Sequence, residues 1–255
     1  MIDQKYLLIL LVMYLCTSQN TYSQSSTFSA LKYKNDKGEI LNYRLLTPDA
    51  TPGQKYPLVI FMHGSGERGD DNNSQLKWGV KNFATDENMK QYPAFVIAPQ
   101  CPKELRWGNF TGPRDQMKLD SSPSKPMALL IELIHEFMKD HPVDIDRVYI
   151  TGLSMGGFGT FDAITRHPDL FAAAVPVCGG GDTSKASTIA HIPIWIFTGA
   201  NDKVVDPTLS RDMVKALSDE GSRPGFTQYP EVGHNSWIQA YSDPMMMEWL
   251  FRQVR

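Results

Sequence analysis

The sequence lacks the features that mark several common classes of protein. Its formal net charge is −3 and it has no cluster of basic residues, so the electrostatic surface that nucleic-acid binding requires is missing. No two histidines have the HExxH spacing and the three cysteines do not cluster with histidine, which argues against a metal site. No internal repeat or low-complexity tract is present. With this charge, the expected binding partner is a neutral or weakly charged small molecule.

The sequence also lacks an apolar run long enough to cross a bilayer. Residues 6–16 are apolar and are followed by small polar residues up to Ser23, which is the layout of a secretory signal. We therefore expect a leader over residues 1–23, cleaved after Ser23 or after Ser18, and an exported protein, periplasmic or extracellular. No stable membrane insertion is expected once the leader is removed. Cys16 leaves a lipoprotein anchor as the alternative.

The length and composition suit a single domain of ordinary size. A chain of 255 residues with 42% hydrophobic content can bury a full core, so residues 24–255 are expected to form one domain without room for a second. Without the leader, Cys101 and Cys178 remain. They either form a disulfide between two loops or stay as buried free thiols. The sequence carries no signal for an oligomeric state.

Hydrophobic patterning predicts an α/β fold with an eight-stranded, mostly parallel sheet and helices on both faces. A hairpin pattern at the start supplies an antiparallel edge. The predicted strands are residues 28–33, 40–45, 58–62, 95–98, 148–151, 172–177, 194–198 and 226–229. The predicted helices are residues 70–78, 127–139, 155–166, 209–217 and 245–253. Residues 107–124 are predicted to form a long loop, so no large cap domain is expected.

The most informative stretch is Gly152-Leu153-Ser154-Met155-Gly156, where an apolar strand turns into a predicted helix. A serine on such a turn needs flanking glycines because a Cβ there would collide with the neighbouring strand and helix. The turn exposes the hydroxyl at a helix N-terminus, where the backbone N–H of Met155 can stabilise an oxyanion. Ser154 is therefore a candidate nucleophile.

An acid and a histidine follow this serine in the chain. Asp202 comes directly after a predicted strand, on the edge where open α/β sheets place their sites. Asp206 is the rival acid, but it precedes a proline and a helix, as a capping residue does, so Asp202 is preferred. His234 lies in the loop before the final helix, from which its two ring nitrogens can reach the serine and the carboxylate. Four other histidines have ordinary structural positions: His135 inside a predicted helix, His141 and His167 at helix ends, and His191 in a loop before a strand.

A second oxyanion donor is expected in the loop after strand 58–62. The string HGSGERG over residues 63–69 begins with a turn of small residues, which lets the backbone approach a substrate carbonyl closely. The N–H of Ser65 is the preferred donor, and that of Gly66 is the alternative. His63 precedes the turn and is expected to brace the loop rather than to transfer protons.

With these motifs in this order, the chain resembles the α/β-hydrolase superfamily. Four strings are similar to secreted esterases often described as predicted peptidases: HGSGERG at 63–69, APQCP at 98–102, DRVYITGLSMGG at 146–157 and PVCGG at 176–180. That group shades into carbohydrate esterase family 1, with its feruloyl and acetyl-xylan esterases, and into polyhydroxybutyrate depolymerase-like enzymes. It also shares its catalytic domain with prolyl oligopeptidases.

The resemblance implies an α/β-hydrolase fold and a secreted serine esterase. Ser154 is then the nucleophile, Asp202 the orienting carboxylate and His234 the base and later the acid, and hydrolysis passes through an acyl-enzyme without a cofactor or metal. The implied substrate is a small-molecule or polysaccharide ester, with an acetyl or feruloyl group on carbohydrate as the expected target.

Three further residues are expected to contact substrate. Trp107 and Trp237 are candidates for flat apolar walls around a sugar or an aromatic acyl group, although both could equally be half-buried loop anchors. Glu67 is the third. Two other functions remain open on the same fold, a peptidase of the prolyl-oligopeptidase kind and a catalytically silent carbohydrate-binding protein. The first normally carries a propeller, for which this chain has no room.

Overall fold

One eight-stranded sheet forms the centre of the structure. The computed structural model describes residues 28–49 and 51–255, so the expected leader over residues 1–23, with Cys16, lies outside the described residues. The strands are β1 (Ser29–Lys34), β2 (Ile40–Leu46), β3 (Tyr56–Met62), β4 (Phe95–Pro99), β5 (Phe110–Thr111), β6 (Lys118–Leu119), β7 (Val143–Leu153), β8 (Ala173–Val177), β9 (Trp195–Gly199) and β10 (Gly225–Tyr229). All except β5 and β6 belong to the large sheet, in the order β1-β2-β4-β3-β7-β8-β9-β10.

Most neighbouring strands in this sheet run parallel. β1 pairs antiparallel with β2, and β2 pairs antiparallel with β4, whereas the remaining pairs are parallel. The expected eight-stranded sheet with an antiparallel edge is thereby confirmed. β3, β4 and β8 are buried along their whole length because the sheet is covered on both faces.

Helices and two apolar clusters cover the two faces. The helices of the described residues are α1 (Asp86–Gln91), α2 (Lys125–Asp140), α3 (Met155–Arg166), α4 (Ala186–Ile189), α5 (Thr208–Asp219), α6 (Trp237–Ser242) and α7 (Pro244–Phe251). Side chains of α2, α3 and α5 belong to one cluster, and side chains of α6 and α7 belong to the other. Alternate residues of β3 enter the two clusters, Leu58 and Ile60 the first, Val59 and Phe61 the second.

The segment predicted as a helix over residues 70–78 is not helical. It contains the short 3-10 turn Ser74–Leu76, followed by a second 3-10 turn at Val80–Ala84. The carboxylate of Asp71 accepts hydrogen bonds from the N–H groups of Asn73 and Ser74, at 2.8 and 2.9 Å. Such side-chain bonds offer the backbone an alternative to the helix, which explains the error.

The final helix lies where the sequence predicts it. Residues 245–253 were expected to be helical, and α7 covers Pro244–Phe251. Proline fits the first turn of a helix, and the Asp243 side chain caps α7 by accepting from Met245 N–H at 2.9 Å. The short helices α1, α4 and α6 were not predicted.

The segment predicted as a long loop over residues 107–124 contains a small hairpin. β5 and β6 pair antiparallel around the 3-10 turn Arg114–Gln116, and we call residues 108–120 the cleft hairpin. Two carboxylates hold its ends: Asp162 accepts from Asn109 N–H at 2.9 Å, and Asp182 accepts from Leu119 N–H at 3.0 Å. Within the described part of the chain, no larger cap covers the sheet.

The turn between α5 and β10 is open to solvent. Gly221 has a φ of 83° there, and no atom lies within 4 Å of the place that a Cβ would occupy. This turn precedes β10, so it lies at the sheet edge opposite to the loop that follows β10. Over residues 28–49 and 51–255, no helix combines the length and apolarity needed to cross a membrane.

Candidate active site

Four loops at the carboxyl ends of parallel strands carry the residues singled out in the sequence. Ser65 follows β3, Ser154 follows β7, Asp202 follows β9 and His234 follows β10. Because these strands are parallel members of one sheet, their carboxyl ends lie along the same edge. The topology thus brings together side chains that are far apart in the chain.

Ser154 stands on a strained turn between β7 and α3, which we call the elbow. Its φ of 52° and ψ of −114° place it in a region that residues other than glycine rarely adopt. A Cβ on Gly156 would overlap the carbonyl oxygen of Met62, and a Cβ on Gly152 would lie 2.5 Å from Gly156 O. Both glycines are therefore required by close backbone packing. The Ser154 N–H donates to Val177 O at 2.9 Å, which ties the turn to β8.

His234 connects this serine to a carboxylate. Its Nε2 lies 2.9 Å from Ser154 Oγ, and its Nδ1 lies 2.8 Å from Asp202 Oδ2. When Nδ1 carries the proton and donates to the carboxylate, Nε2 is left to accept the serine proton. The structure therefore brings together the three residues named as nucleophile, base and acid. We call this chain of contacts from Ser154 through His234 to Asp202 the relay.

The two candidate acids have different surroundings. Asp202 has a fully buried side chain, and its second oxygen accepts from the N–H groups of Val204 and Val205 at 2.8 and 3.0 Å. Asp206 is exposed and accepts instead from the N–H and hydroxyl of Thr208 at the start of α5. Those bonds lower the pKa of Asp206. Only Asp202 contacts His234. Asp206 stands one residue before the N-cap, Pro207, and not at the N-cap position inferred from the sequence, but it binds the first residue of α5.

Two residues with candidate N–H donors line the same cleft as the serine. Met155 is the first residue of α3, so its N–H has no acceptor within the helix. Ser65 begins the 3-10 turn Ser65–Glu67 and lines the same cleft as Ser154 and Met155. Gly66 is exposed and is not among the residues that line the cleft. The position of Ser65 therefore favours it over Gly66 as the second oxyanion donor.

His63 orients the peptide that carries the Ser65 N–H. Its Nε2 accepts from Cys101 N–H at 2.9 Å, so the ring proton is on Nδ1, which lies 2.6 Å from Gly64 O. Burial lowers the pKa of His63 to about 4, so the ring is neutral near pH 7. The C=O and N–H of a trans peptide point in opposite directions. The bond to Gly64 O therefore turns the Ser65 N–H away from His63.

Glu67 and Trp107 support this loop from beneath instead of facing substrate. Trp107 is fully buried, and its Nε1 donates to His63 O at 3.2 Å. Glu67 is 5% exposed, and its Oε2 lies 3.1 Å from the place that a Cβ on Gly64 would occupy. Burial raises the pKa of Glu67. The expectation that these two residues contact substrate is corrected by their position, since neither lines the cleft.

Trp237 packs against the imidazole of His234. Its ring centroid lies 5.1 Å from that of His234 with the planes at 87°, and the ring of Trp78 lies beyond it at 6.2 Å. Trp237 is half-buried and does not line the cleft beside Ser154. Its edge-to-face contact restricts the orientation of His234, so it occupies the position of an anchor rather than of a substrate wall.

A cleft of about 320 Å³ adjoins Ser154. One side carries Ser65 and Met155. The apolar side chains that line it are Phe110, Met117, Phe158, Val204 and Val205. Arg68, Arg106 and Arg114 line it as well, and the sequence reasoning missed all three. Arg68 stands in the HGSGERG string and the other two stand beside or within the cleft hairpin, but only the fold shows that they face one space.

Cys178 lies directly behind the Ser154, His234 and Asp202 relay. Its Sγ, a ring nitrogen of His234 and an oxygen of Asp202 lie within 4.8 Å of one another, but the last two already bind each other. The relay therefore accounts for this cluster. Cys101 and Cys178 are both buried free thiols, and burial raises the pKa of each to about 12. Of the two possibilities left open by the sequence, the structure shows unbridged cysteines.

The fold and this site together define a member of the α/β-hydrolase class. The chain belongs to the phospholipase/carboxylesterase family, whose model matches residues 50–244. The matched stretch contains the parallel strands from β3 to β10 and all three residues of the relay.

The proteins to which this chain is similar include enzymes whose names describe the cleavage of esters. The chain is 46% identical over 165 residues to poly(3-hydroxyalkanoate) depolymerase C of Paucimonas lemoignei, which covers 62% of this chain and 36% of that protein. It is 24% identical over 190 residues to the bifunctional acetylxylan esterase/xylanase XynS20E of Neocallimastix patriciarum, covering 74% and 25%. The chain thus spans well under half of these relatives. The solved structure of a thermostable esterase has a TM-score of 0.83 at 40% identity, covering 90% of this chain and 64% of that one.

Proposed function

We propose that this protein is a serine esterase that hydrolyses carboxylic esters through an acyl-enzyme. The observation that carries the proposal is the relay in which His234 lies 2.9 Å from Ser154 Oγ and 2.8 Å from Asp202 Oδ2. Membership of the phospholipase/carboxylesterase family supports the same chemistry. The strained elbow and the two free N–H groups beside it supply the remaining parts of such a site.

The first half of the reaction forms the acyl-enzyme. Ser154 Oγ attacks the ester carbonyl carbon while Nε2 of His234 takes the hydroxyl proton. The carbonyl oxygen becomes an oxyanion that accepts hydrogen bonds from the N–H groups of Met155 and Ser65. Collapse of this intermediate breaks the bond to the alcohol, which leaves with the proton held by His234.

The second half releases the acid. A water molecule gives its proton to His234 and attacks the acyl carbon, and the oxyanion forms again beside the same two donors. Collapse returns the proton to Ser154 Oγ and frees the carboxylic acid. Asp202 keeps the imidazole oriented and offsets its positive charge in both halves. Every proton moves through His234, so the residues present complete the reaction.

Labelling with a fluorophosphonate probe tests the nucleophile. The wild-type protein is expected to be labelled and to hydrolyse p-nitrophenyl acetate, and Ser154→Ala is expected to lose both properties while keeping its circular dichroism spectrum. A folded wild type that is neither labelled nor active but binds a glycan would overturn the proposal in favour of a silent carbohydrate-binding protein.

We further propose that the substrate is an acyl group, acetyl or feruloyl, on carbohydrate. The similarity to an acetylxylan esterase and the apolar side chains of the cleft support this class. A panel of feruloyl and acetylated-xylan esters alongside a proline-containing peptide amide tests it. Faster turnover of the amide than of every ester would favour the peptidase alternative.

We also propose that residues 1–23 are removed during export and that residues 24–255 form the single mature domain. The apolar stretch over residues 6–16 and the polar segment after it support this proposal. Expression of the full chain with its leader in a bacterial host, followed by intact mass measurement of the protein outside the cytoplasm, is expected to show Gln24 as the first residue. Recovery of the uncleaved chain in the cytoplasm would contradict it.

A further inference from the structure

Three arginines face the cleft beside the nucleophile, and no carboxylate does. Arg68, Arg106 and Arg114 line this space, and none of the residues described as lining it is aspartate or glutamate. All three side chains belong to exposed residues. The whole chain has a net charge of −3, so this concentration of positive charge runs against the overall balance.

None of these guanidinium groups is neutralised within the described part of the chain. Arg68 donates only to backbone carbonyls, from Nε to Ser65 O at 2.9 Å and from Nη1 to Leu105 O at 3.3 Å. Arg114 donates to Val204 O at 2.7 Å. Arg106 makes no hydrogen bond or ion pair with any described residue. Carbonyl contacts fix two of the side chains in place but leave their full charge.

The contacts of Arg68 and Arg114 place them on two sides of the reacting serine. Arg68 is tied to Ser65, which supplies the proposed oxyanion donor. Arg114 reaches from the cleft hairpin to the loop that follows Asp202. A guanidinium has five N–H donors, so Arg68 and Arg114 retain several unused donors and Arg106 retains all of them. This arrangement suits the two oxygens of a carboxylate, which arginine binds in a bidentate manner.

We infer that the cleft selects esters that carry an ionised carboxylate near the scissile bond. The inference rests on the proposed esterase activity and departs from the expectation, drawn from net charge alone, of a neutral or weakly charged partner. On carbohydrate, the corresponding substrates are acylated acidic sugars or dicarboxylic half-esters of a sugar hydroxyl. The apolar side chains of Phe110 and Phe158 in the same cleft bind the uncharged part of the molecule.

Paired esters distinguish the two sources of the carboxylate. For the alcohol side, 4-acetoxybenzoate is compared with its methyl ester. For the acyl side, mono-4-nitrophenyl adipate is compared with its methyl ester. The kcat/KM of the charged ester is expected to exceed that of its neutral partner in at least one pair, and the ratio is expected to fall as salt screens the arginines.

Arginine variants test whether the preference comes from this cleft. Arg106→Gln and Arg114→Gln are each expected to lower the charged-to-neutral ratio of kcat/KM by about tenfold, and Arg106→Lys is expected to restore part of it. Arg223→Gln is the matched control, because Arg223 is exposed and precedes β10 at the opposite edge of the sheet. Its ratio is expected to match that of the wild type. Ratios at or below one, or equal in all variants, would overturn the inference.

A binding measurement separates this inference from the proposed activity. Calorimetry of the Ser154→Ala protein is expected to show binding of the charged ester and weaker binding of its methyl ester, with the difference reduced by Arg106→Gln. Hydrolysis of all esters without a charge preference would refute the inference alone. Charge-dependent binding by a wild type that hydrolyses no ester would support the anion site and refute the esterase proposal.

Discussion

Asp202 and Asp206 lie close together in the loop after β9, yet their different hydrogen bonds indicate different roles. Asp202 is buried beneath the imidazole and held by two backbone N–H groups, whereas Asp206 binds Thr208 at the start of α5. A carboxylate that holds Nδ1–H also selects the tautomer in which Nε2 accepts a proton. The two side chains are chemically identical, so their different roles follow from their different contacts.

Replacing each aspartate by asparagine separates these two roles. Asp202→Asn is expected to lower kcat by about 10⁴-fold, because the amide favours the wrong imidazole tautomer. Asp206→Asn is expected to leave kcat within about twofold, since asparagine also caps helices well. Steady-state kinetics on p-nitrophenyl acetate measure both. The assignment would fail if Asp206→Asn abolished turnover and Asp202→Asn did not.

His63 makes stability depend on pH in a predictable direction. Its pKa in the folded protein is about 4, against an ordinary value of 6.5, so the unfolded chain takes up the proton first as the pH falls. The stability from the neutral buried ring is complete above pH 6.5 and is lost as the pH falls toward 4. The gap between these values corresponds to about 3 kcal/mol.

Urea unfolding at a series of pH values checks this prediction with His63→Gln as the comparison. Glutamine does not titrate, so the wild-type protein is expected to lose about 3 kcal/mol more than the variant between pH 7 and pH 4. Parallel curves for the two proteins would show that His63 does not remain neutral in the fold.

At the residue scale, the sequence predicts Ser154, Asp202 and His234 but not which side chains line the cleft, and burial explains the difference. The order of Ser154, Asp202 and His234 and their places after strands were enough to predict their meeting, because strand ends converge. The sequence does not show which side of a loop faces solvent. Trp107 and Glu67 were therefore assigned to the cleft although they lie beneath it, and the arginines that face it were not identified.

At the scale of elements, the nucleophile elbow depends on contact between two backbones. A side chain at Gly156 would overlap the carbonyl at the end of β3, whereas the space around Gly66 is open. Gly156→Ala is expected to lower the free energy of unfolding by about 3 kcal/mol, and Gly66→Ala by less than about 1 kcal/mol. Thermal and chemical unfolding measure both. Equal losses would show that the elbow can relax around a methyl group.

The cleft hairpin depends on a carboxylate from outside it. Asp182 is almost fully buried and accepts from Leu119 N–H, from Lys118 and from Ser184. Asp182→Ala is expected to raise amide exchange across residues 108–120 several-fold and to raise KM more than it changes kcat, because the hairpin forms one wall of the cleft.

Asp144→Ala provides the control for the hairpin variant. Asp144 also forms an ion pair, with Arg147 at 2.7 Å, but it stands at the amino end of β7 and away from the cleft. The amide exchange at residues 108–120 and the KM of the Asp144→Ala protein are expected to match those of the wild type. A wild-type exchange pattern in Asp182→Ala would mean that β5 and β6 hold themselves together.

The elements that were predicted well are those with a strong apolar pattern. The strands of the sheet and α2, α3 and α5 were placed to within a few residues, except that β7 begins at Val143, five residues before its predicted start. The failures occurred where a local polar contact decides the conformation, as Asp71 does in the segment over residues 70–78. Only the structure shows that the turn at Asp71 forms in place of the predicted helix.

At the scale of the whole molecule, the strands shared by two apolar clusters make one cooperative unit. Adjacent residues of β3 enter opposite clusters, so damage to either face weakens the same sheet. Ile60→Ala and Phe61→Ala are each expected to cost about 3 to 4 kcal/mol and to shift a single unfolding transition. Tryptophan fluorescence and circular dichroism should report the same midpoint. Separate midpoints in either variant would show that the two faces unfold independently.

The open turn at Gly221 has a practical consequence. It divides the polypeptide between the part that carries Ser154 and Asp202 and the part that carries β10 and His234, and it does so far from the chemistry. Two separately expressed pieces, joined by docking of β10 against β9 and of α6 and α7 against the second apolar cluster, are expected to regain the proposed ester cleavage when proteins fused to them associate. With the proposed activity, the protein is thus a candidate for a complementation reporter, in which colour development registers an encounter between the fused partners.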